Sequence, residues 1–134
     1  MYNNYFPIFL TGGRGLFGST FLKKNKKIKK QILAPSSSRW DITKKKEISQ
    51  YLNKYMPKLI IHAAALVGIA ACEKNKLLCK KINIEGTKNV CSYAKKNNIR
   101  FIYISTDYVF DGKKGNYTEN DKPNPKSTYG KSKL

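Results

Sequence analysis

Between a short run of β-prone apolar residues, Phe6 to Leu10, and a segment of helical spacing, Leu16 to Lys24, four glycines fall within seven positions: Gly12, Gly13, Gly15 and Gly18. No other feature restricts the fold as much. A strand that breaks at once into glycines and re-forms as a helix makes a tight turn whose backbone can approach an anion. In Thr11-Gly12-Gly13-Arg14-Gly15-Leu16-Phe17-Gly18 the spacing assigns Gly12 to the turn, Gly15 to the approach of a pyrophosphate and Gly18 to close packing of helix on strand. The helix amino terminus, with its unsatisfied N–H groups, then faces the phosphates, so Arg14, Leu16 and Phe17 join Gly12 and Gly15 as candidate cofactor contacts. Gly13 to Ser19 superficially resembles a phosphate loop, but Gly18 stands where a nucleoside triphosphatase needs lysine. A glycine-rich turn that holds no ligand is the plainer alternative.

The remainder alternates strand and helix. Gln31 to Ala34 reads as a brief strand closed by Pro35, and Ile48, Tyr51, Leu52 and Tyr55 share one face of a helix that opens near Thr43 and stops before Pro57. Lys58 to His62 reads as a buried strand. Leu78, Ile82, Ile84, Val90, Tyr93 and Ala94 support one long helix from Asn75 to Asn97, followed by a strand from Arg100 to Ser105. A polar loop rich in glycine and proline then leads to a helix opening at Tyr129. The order β-α-β-α-β-α-β predicts an α/β fold with a doubly wound parallel sheet, because parallel strands need right-handed helical crossovers. At 134 residues and 40% hydrophobic content, a single domain over 1–134 is expected.

Composition narrows the partners. The net charge of +19 is carried by scattered lysine, with arginine only at Arg14, Arg39 and Arg100. Base reading and bidentate phosphate grip favour arginine, so no specific nucleic-acid partner is expected. The longest apolar run, Leu59 to Ala71, falls short of the roughly 20 residues needed to span a bilayer, and Met1 to Leu10 lacks the basic start of a secretory signal. A cytoplasmic location is expected. Cys72, Cys79 and Cys91 lack paired metal-ligand spacing, so reduced and mostly buried thiols are expected and no metal site.

Folds that prefer NADH place an acid about 20 residues past the glycine turn. Here that region is Pro35-Ser36-Ser37-Ser38-Arg39. Arg14, the serines and Arg39 suit a 2′-phosphate, which favours NADPH over NADH; ordinary solvated charges are the alternative. Tyr129 and Lys133 lie four residues apart on one helix face, where lysine would draw the phenol below its ordinary pKa of about 10 and ready it for proton exchange with a carbonyl or alcohol. Thr106, leaving the end of a strand, offers a hydroxyl to the substrate oxygen. Gly12, Ala63 to Ala65, Ser105 and Thr106 all fall at carboxyl ends of strands, where open parallel sheets bind ligands.

Ile104-Ser105-Thr106-Asp107-Tyr108-Val109-Phe110-Asp111-Gly112, Tyr117-Thr118-Glu119, Pro123-Asn124-Pro125 and Tyr129-Gly130-Lys131-Ser132-Lys133 resemble the dTDP-4-dehydrorhamnose reductase family of extended short-chain dehydrogenases/reductases. His62-Ala63-Ala64-Ala65 and Asn83-Ile84-Glu85-Gly86-Thr87 are similarly placed in extended reductases generally. The resemblance covers essentially the whole chain. It implies Thr106, Tyr129 and Lys133 as catalytic residues, Asp41 and Ile42 as adenine contacts and Ala63, Ala64, Ala65 and Ser105 as cofactor lining, with Tyr129 and Lys133 also touching the cofactor. Asn83 would lie near the cofactor or serve structure alone; His62 reads as packed, and Tyr108 and Phe110 as packing or pocket wall. The activity implied is NAD(P)H-dependent reduction of the 4-keto group of a nucleotide-linked deoxysugar. Related epimerases share the glycine turn and the tyrosine-lysine pair, but the segment from Ser105 to Gly112 argues against them. Members are about twice this length, so the resemblance also implies an absent sugar-nucleotide half, a catalytic helix cut after its first turn and an incomplete enzyme that needs a second half or associates with itself. A nonenzymatic cofactor-binding regulatory subunit, as in the relative that partners methionine adenosyltransferase, is the other reading.

Overall fold

Four strands form a parallel sheet in the order β2-β1-β3-β4: β1 (Ile8–Thr11), β2 (Ile32–Leu33), β3 (Leu59–His62) and β4 (Arg100–Tyr103). Ile8 pairs with Ile32 on one side and Leu59 on the other, and the register brings Thr11 beside His62. The computed structural model describes residues 5–134; residues 1–4, where the stretch read above for a leader begins, lie outside them.

Alternation along the strands divides the side chains between two faces. Ile8, Leu10, Ile32, Leu59 and Ile61 make one buried cluster, onto which Phe21 and Leu22 of α1 (Leu16–Lys24) pack. Phe9 points the other way, its ring 4.8 Å from Trp40 and 5.8 Å from Tyr51 of α2 (Lys45–Tyr55). Helices therefore cover both faces, and the fold is the Rossmann-like α/β arrangement expected. Phe9, Leu10, Ile48, Leu52 and Ile60 are almost inaccessible, each contributing about 1.5–3 kcal/mol by burial.

The single helix expected from Asn75 to Asn97 is a succession. After α3 (Ile69–Lys74), which hydrophobic spacing did not single out, come α4 (Lys76–Cys79), a π-helical stretch over Lys80–Gly86 and α5 (Thr87–Lys96). Apolar residues at helical spacing are compatible with both windings, so periodicity does not show the change. The helix that bears Tyr129 and Lys133, α6, runs over Thr128–Lys133. β4 ends two residues earlier than expected and is only half-buried, with Ile102 47% exposed, because β3 is its one neighbour in the sheet. Lys44, not Thr43, caps α2, and without a side-chain bond.

The residues group into two compact units. One contains the chain up to Ala64 together with Glu85–Ile104, and holds the sheet; the other contains Ala65–Ile84 with Ser105–Leu134. The cysteines are free, with Cys72 and Cys79 buried and Cys91 exposed. Among the described residues no helix is long and apolar enough to cross a membrane.

Candidate functional site

In the sheet unit the glycine turn lies as the spacing predicts. Gly12 has φ +71°, and a Cβ there would fall 2.7 Å from the carbonyl carbon of Ala63 and the nitrogen of Ala64, so any side chain is both strained and obstructed. Gly15 donates to the Gly12 carbonyl at 2.9 Å and caps α1 in extended backbone, φ −74°. A Cβ on Gly15 would meet only the Gly12 oxygen, at 3.3 Å, and otherwise enter open space. Gly18 packs the helix on the turn itself rather than on the strand, since its Cβ would lie 2.3 Å from the Gly12 oxygen. Leu16 and Phe17 are exposed beside these glycines, as is Arg14.

Past β2, Ser36 to Arg39 form a turn closed by the Arg39 and Trp40 amides donating to the Ser36 carbonyl, and the Arg39 side chain is exposed. Asp41 accepts from the Thr43 amide at 2.8 Å, which holds the following residue in place. The Ile42 side chain is buried against Gly86, which leaves only its backbone toward solvent. Ala63 and Ala64 follow β3, their amides donating to Thr11 Oγ1 at 3.1 and 3.0 Å.

The second unit gathers Thr106, Tyr129 and Lys133, with Ala65 and Ser105. Ser127 starts α6 by accepting from the Gly130 amide at 3.0 Å, and Glu73 of α3 accepts from the Thr128 amide at 2.8 Å. Asn83, in the π-helical stretch, donates to Leu66 O and to Ser132 Oγ (2.9 Å) and accepts from the Leu66 amide. Ser105 Oγ donates to the Lys133 carbonyl at 3.2 Å. These bonds give the Asn83 side chain the structural role that was one of its two readings. These partners hold a helix of one and a half turns that would fray alone.

Tyr129 is 7% and Lys133 4% exposed, and Tyr129 packs with Cys72, Cys79 and Leu66. Burial raises the Tyr129 phenol above its ordinary pKa, while the hydrogen bond with Thr106 acts in the opposite direction. Burial lowers the Lys133 ammonium to about 8. The phenol thus moves opposite to the direction expected from a neighbouring lysine, because removal from water sets its shift. The Cys72 thiol, pushed up to about 12 chiefly by burial, stays protonated at neutral pH.

A cavity of about 400 Å³ is lined by Ile69, Asp107, Tyr108, Phe110, Tyr117 and Lys126 among others, and the Tyr108 ring lies 6.1 Å from that of Tyr129. Tyr108 and Phe110 are therefore pocket walls. Two carboxylates shape the loop that carries this wall. Asp111 accepts from the Lys113 amide, Tyr117 Oη and Asn124 Nδ2; Asp121 accepts from Lys114 Nζ and from the amide and hydroxyl of Thr118. Lys114 first, and the Thr118 amide next, hold the Asp121 carboxyl at about 2, and the Tyr117 hydroxyl chiefly lowers Asp111. A depressed carboxyl stabilises the fold above its unfolded value of about 4 and loses that contribution as pH falls through the folded value. Amide exchange at Thr118, corrected for intrinsic rate, is therefore expected to remain slow at about pH 4 and to quicken toward about pH 2. Quickening complete by pH 4 would show that the loop does not depend on Asp121.

The family model for the RmlD substrate binding domain matches residues 6–134. The chain belongs to this family. The dTDP-4-dehydrorhamnose reductase of Aggregatibacter actinomycetemcomitans is 33% identical over 130 residues, covering 94% of this chain and 44% of that protein. The methionine adenosyltransferase 2 subunit beta of Danio rerio is 30% identical over 141 residues, covering 100% of this chain and 43% of that protein. The crystal structure of dTDP-4-dehydrorhamnose reductase from Bacillus anthracis in complex with NADP aligns with a TM-score of 0.88 at 31% identity, over 94% of this chain and 45% of that one. The chain spans a little under half the length of these family relatives.

Several residues that build the site did not stand out in the sequence. Ser127 sits three residues before Gly130, a helix-start signal that the tyrosine-lysine spacing overshadowed. Glu73 and Thr87 carry no such local signal, because each acts across a long sequence separation.

Proposed function

We propose that the chain supplies the NADPH-binding and proton-handling residues for reduction of the 4-keto group of a nucleotide-linked deoxysugar, as in dTDP-4-dehydrorhamnose reductases. The observation that carries the proposal is the burial of Tyr129 and Lys133 together on one short helix, with Thr106 acting on the phenol to lower its pKa. The relatives' names and the family support the substrate class.

The sheet unit fits the cofactor. Gly15 leaves open the space that a Cβ would fill, and the first-turn amides of α1 beyond it suit a pyrophosphate. In the proposal Gly12, Gly15, Leu16 and Phe17 surround the pyrophosphate, and Arg14 and Arg39 favour the 2′-phosphate of NADPH over NADH. Asp41, Ile42, Ala63, Ala64 and Ala65 line the remainder, with Ser105, Tyr129 and Lys133. When bound, the cofactor supplies a hydride to the keto carbon. Thr106 hydrogen-bonds the keto oxygen and steadies it. Tyr129 donates its proton to the alkoxide oxygen that results, and a phenol that burial keeps protonated is the form this direction requires. Lys133, charged below about pH 8, offsets the phenolate left behind and binds the cofactor ribose. We place the protein in the cytoplasm, with binding of base and sugar falling to a carboxyl-terminal half supplied by a longer or second chain.

The test follows absorbance of NADPH as dTDP-4-dehydrorhamnose is added to the chain completed by that carboxyl-terminal half. Consumption with formation of dTDP-rhamnose is expected, and NADPH binding without turnover of any keto sugar nucleotide would overturn the reductase reading. That outcome is the one favoured by the 30% identity to the Danio rerio subunit, which makes a cofactor-binding regulatory subunit the second reading.

A further inference from the structure

Beneath the glycine turn runs a chain of buried polar groups that the proposed chemistry does not use. His62, fully buried, has Nδ1 2.8 Å from Thr11 Oγ1 and Nε2 3.0 Å from Thr87 Oγ1. Thr11 Oγ1 also accepts the amides of Ala63 and Ala64 at 3.1 and 3.0 Å. A hydroxyl oxygen has two lone pairs and one proton. Two backbone N–H groups fill the lone pairs of Thr11, so its proton points at Nδ1, which must accept. The ring proton is then on Nε2, where Thr87 accepts it. A proton on both nitrogens would require Thr11 to release one of the two amides.

The chain of contacts reaches the turn directly. Gly12 rides on the Ala63 to Ala64 peptide so closely that a Cβ would lie 2.7 Å from its atoms, and those amides are set by Thr11. Rings of Phe101 and Tyr103 on β4 stack on the imidazole at 5.9 and 5.7 Å, which restricts its tilt. We propose that His62 is a positioning residue: fixed as the neutral Nε2–H tautomer between Thr87 and Thr11, it holds the Ala63 and Ala64 amides that support the glycine turn. Its bearing on catalysis rests on the reading of that turn as the cofactor site. The residue never touches substrate or cofactor in this role.

His62 is the only histidine in the chain, so its spectrum needs no assignment. Long-range proton–nitrogen correlation on the chain labelled with ¹⁵N-histidine is expected to show a bare Nδ1 and a protonated Nε2. A protonated Nδ1, in either the other tautomer or the charged ring, would overturn the proposal without any variant being made. Thr87→Val removes the Nε2 acceptor at constant shape; we expect faster exchange of the Ala63 and Ala64 amides and about tenfold weaker NADPH binding, with Thr87→Ser restoring both. Unchanged exchange in Thr87→Val would sink the relay. Exchange that responds as expected in a chain that binds no NADPH would leave the relay standing and defeat the cofactor reading instead.

Discussion

A Gly15→Asp chain is expected to lose NADPH binding by at least about a hundredfold while folding as well as the parent or better. The two halves of this expectation come from the same geometry. Gly15 caps α1 with φ −74° and ψ 174°, a conformation open to any residue, and its Cβ direction is free beyond the Gly12 oxygen. Aspartate is a favoured N-cap, and its charge suits the positive end of the helix, so a gain of a few tenths of a kcal/mol is expected to offset the 3.3 Å approach of its Cβ to the Gly12 oxygen. The same carboxylate would stand in the space reserved for the pyrophosphate and repel it. Calorimetric titration with NADPH and NADH, paired with thermal unfolding, separates the effects. Binding lost with the melting temperature unchanged or raised supports the site; retained affinity would mean that the pyrophosphate does not approach Gly15.

Tyr129→Phe is the second large effect. Removing the phenolic oxygen takes away the proposed proton donor, and the rate of keto-sugar reduction should fall by about 10²–10⁴-fold. The ring itself stays. It remains packed with Cys72, Cys79 and Leu66, and edge-on to Tyr108, so NADPH affinity and stability should change little. A rate within a few-fold of the parent would remove Tyr129 from the chemistry. Loss of cofactor affinity together with rate would instead assign the hydroxyl to binding.

What could be read from the sequence depended on how local the cause was. Gly12 and Gly15 declare themselves because a positive φ and an open Cβ direction are properties of one position and its immediate turn. α1 was bounded correctly, since lysines at its end and glycine at its start act within a turn of helix. The spacing that puts Tyr129 and Lys133 on one helix face is local, but the direction of the phenol's shift is not, because it is set by burial among residues such as Cys72 and Cys79 that lie some fifty positions away. The change of winding at Lys80–Gly86 escaped for a different reason. It serves Asn83, whose amide reaches Leu66 and Ser132, and no hydrophobic period encodes that reach. Arg39 lies on an exposed turn, a local feature, whereas the packing of the Ile42 side chain on Gly86 depends on a residue some forty positions away and leaves no local signal.

The division of the chain has a consequence for synthesis. Every strand of the sheet unit has been made once Tyr103 leaves the ribosome, and that unit can collapse on its own apolar faces. In the other unit Ala65–Ile84 must wait, with Cys72 and Cys79 uncovered, until Tyr129 arrives about fifty residues later. Its assembly therefore follows that of the sheet unit in vectorial folding, and the interval in which those thiols meet solvent is set by translation speed between Cys79 and Tyr129 rather than by the stability of the finished protein.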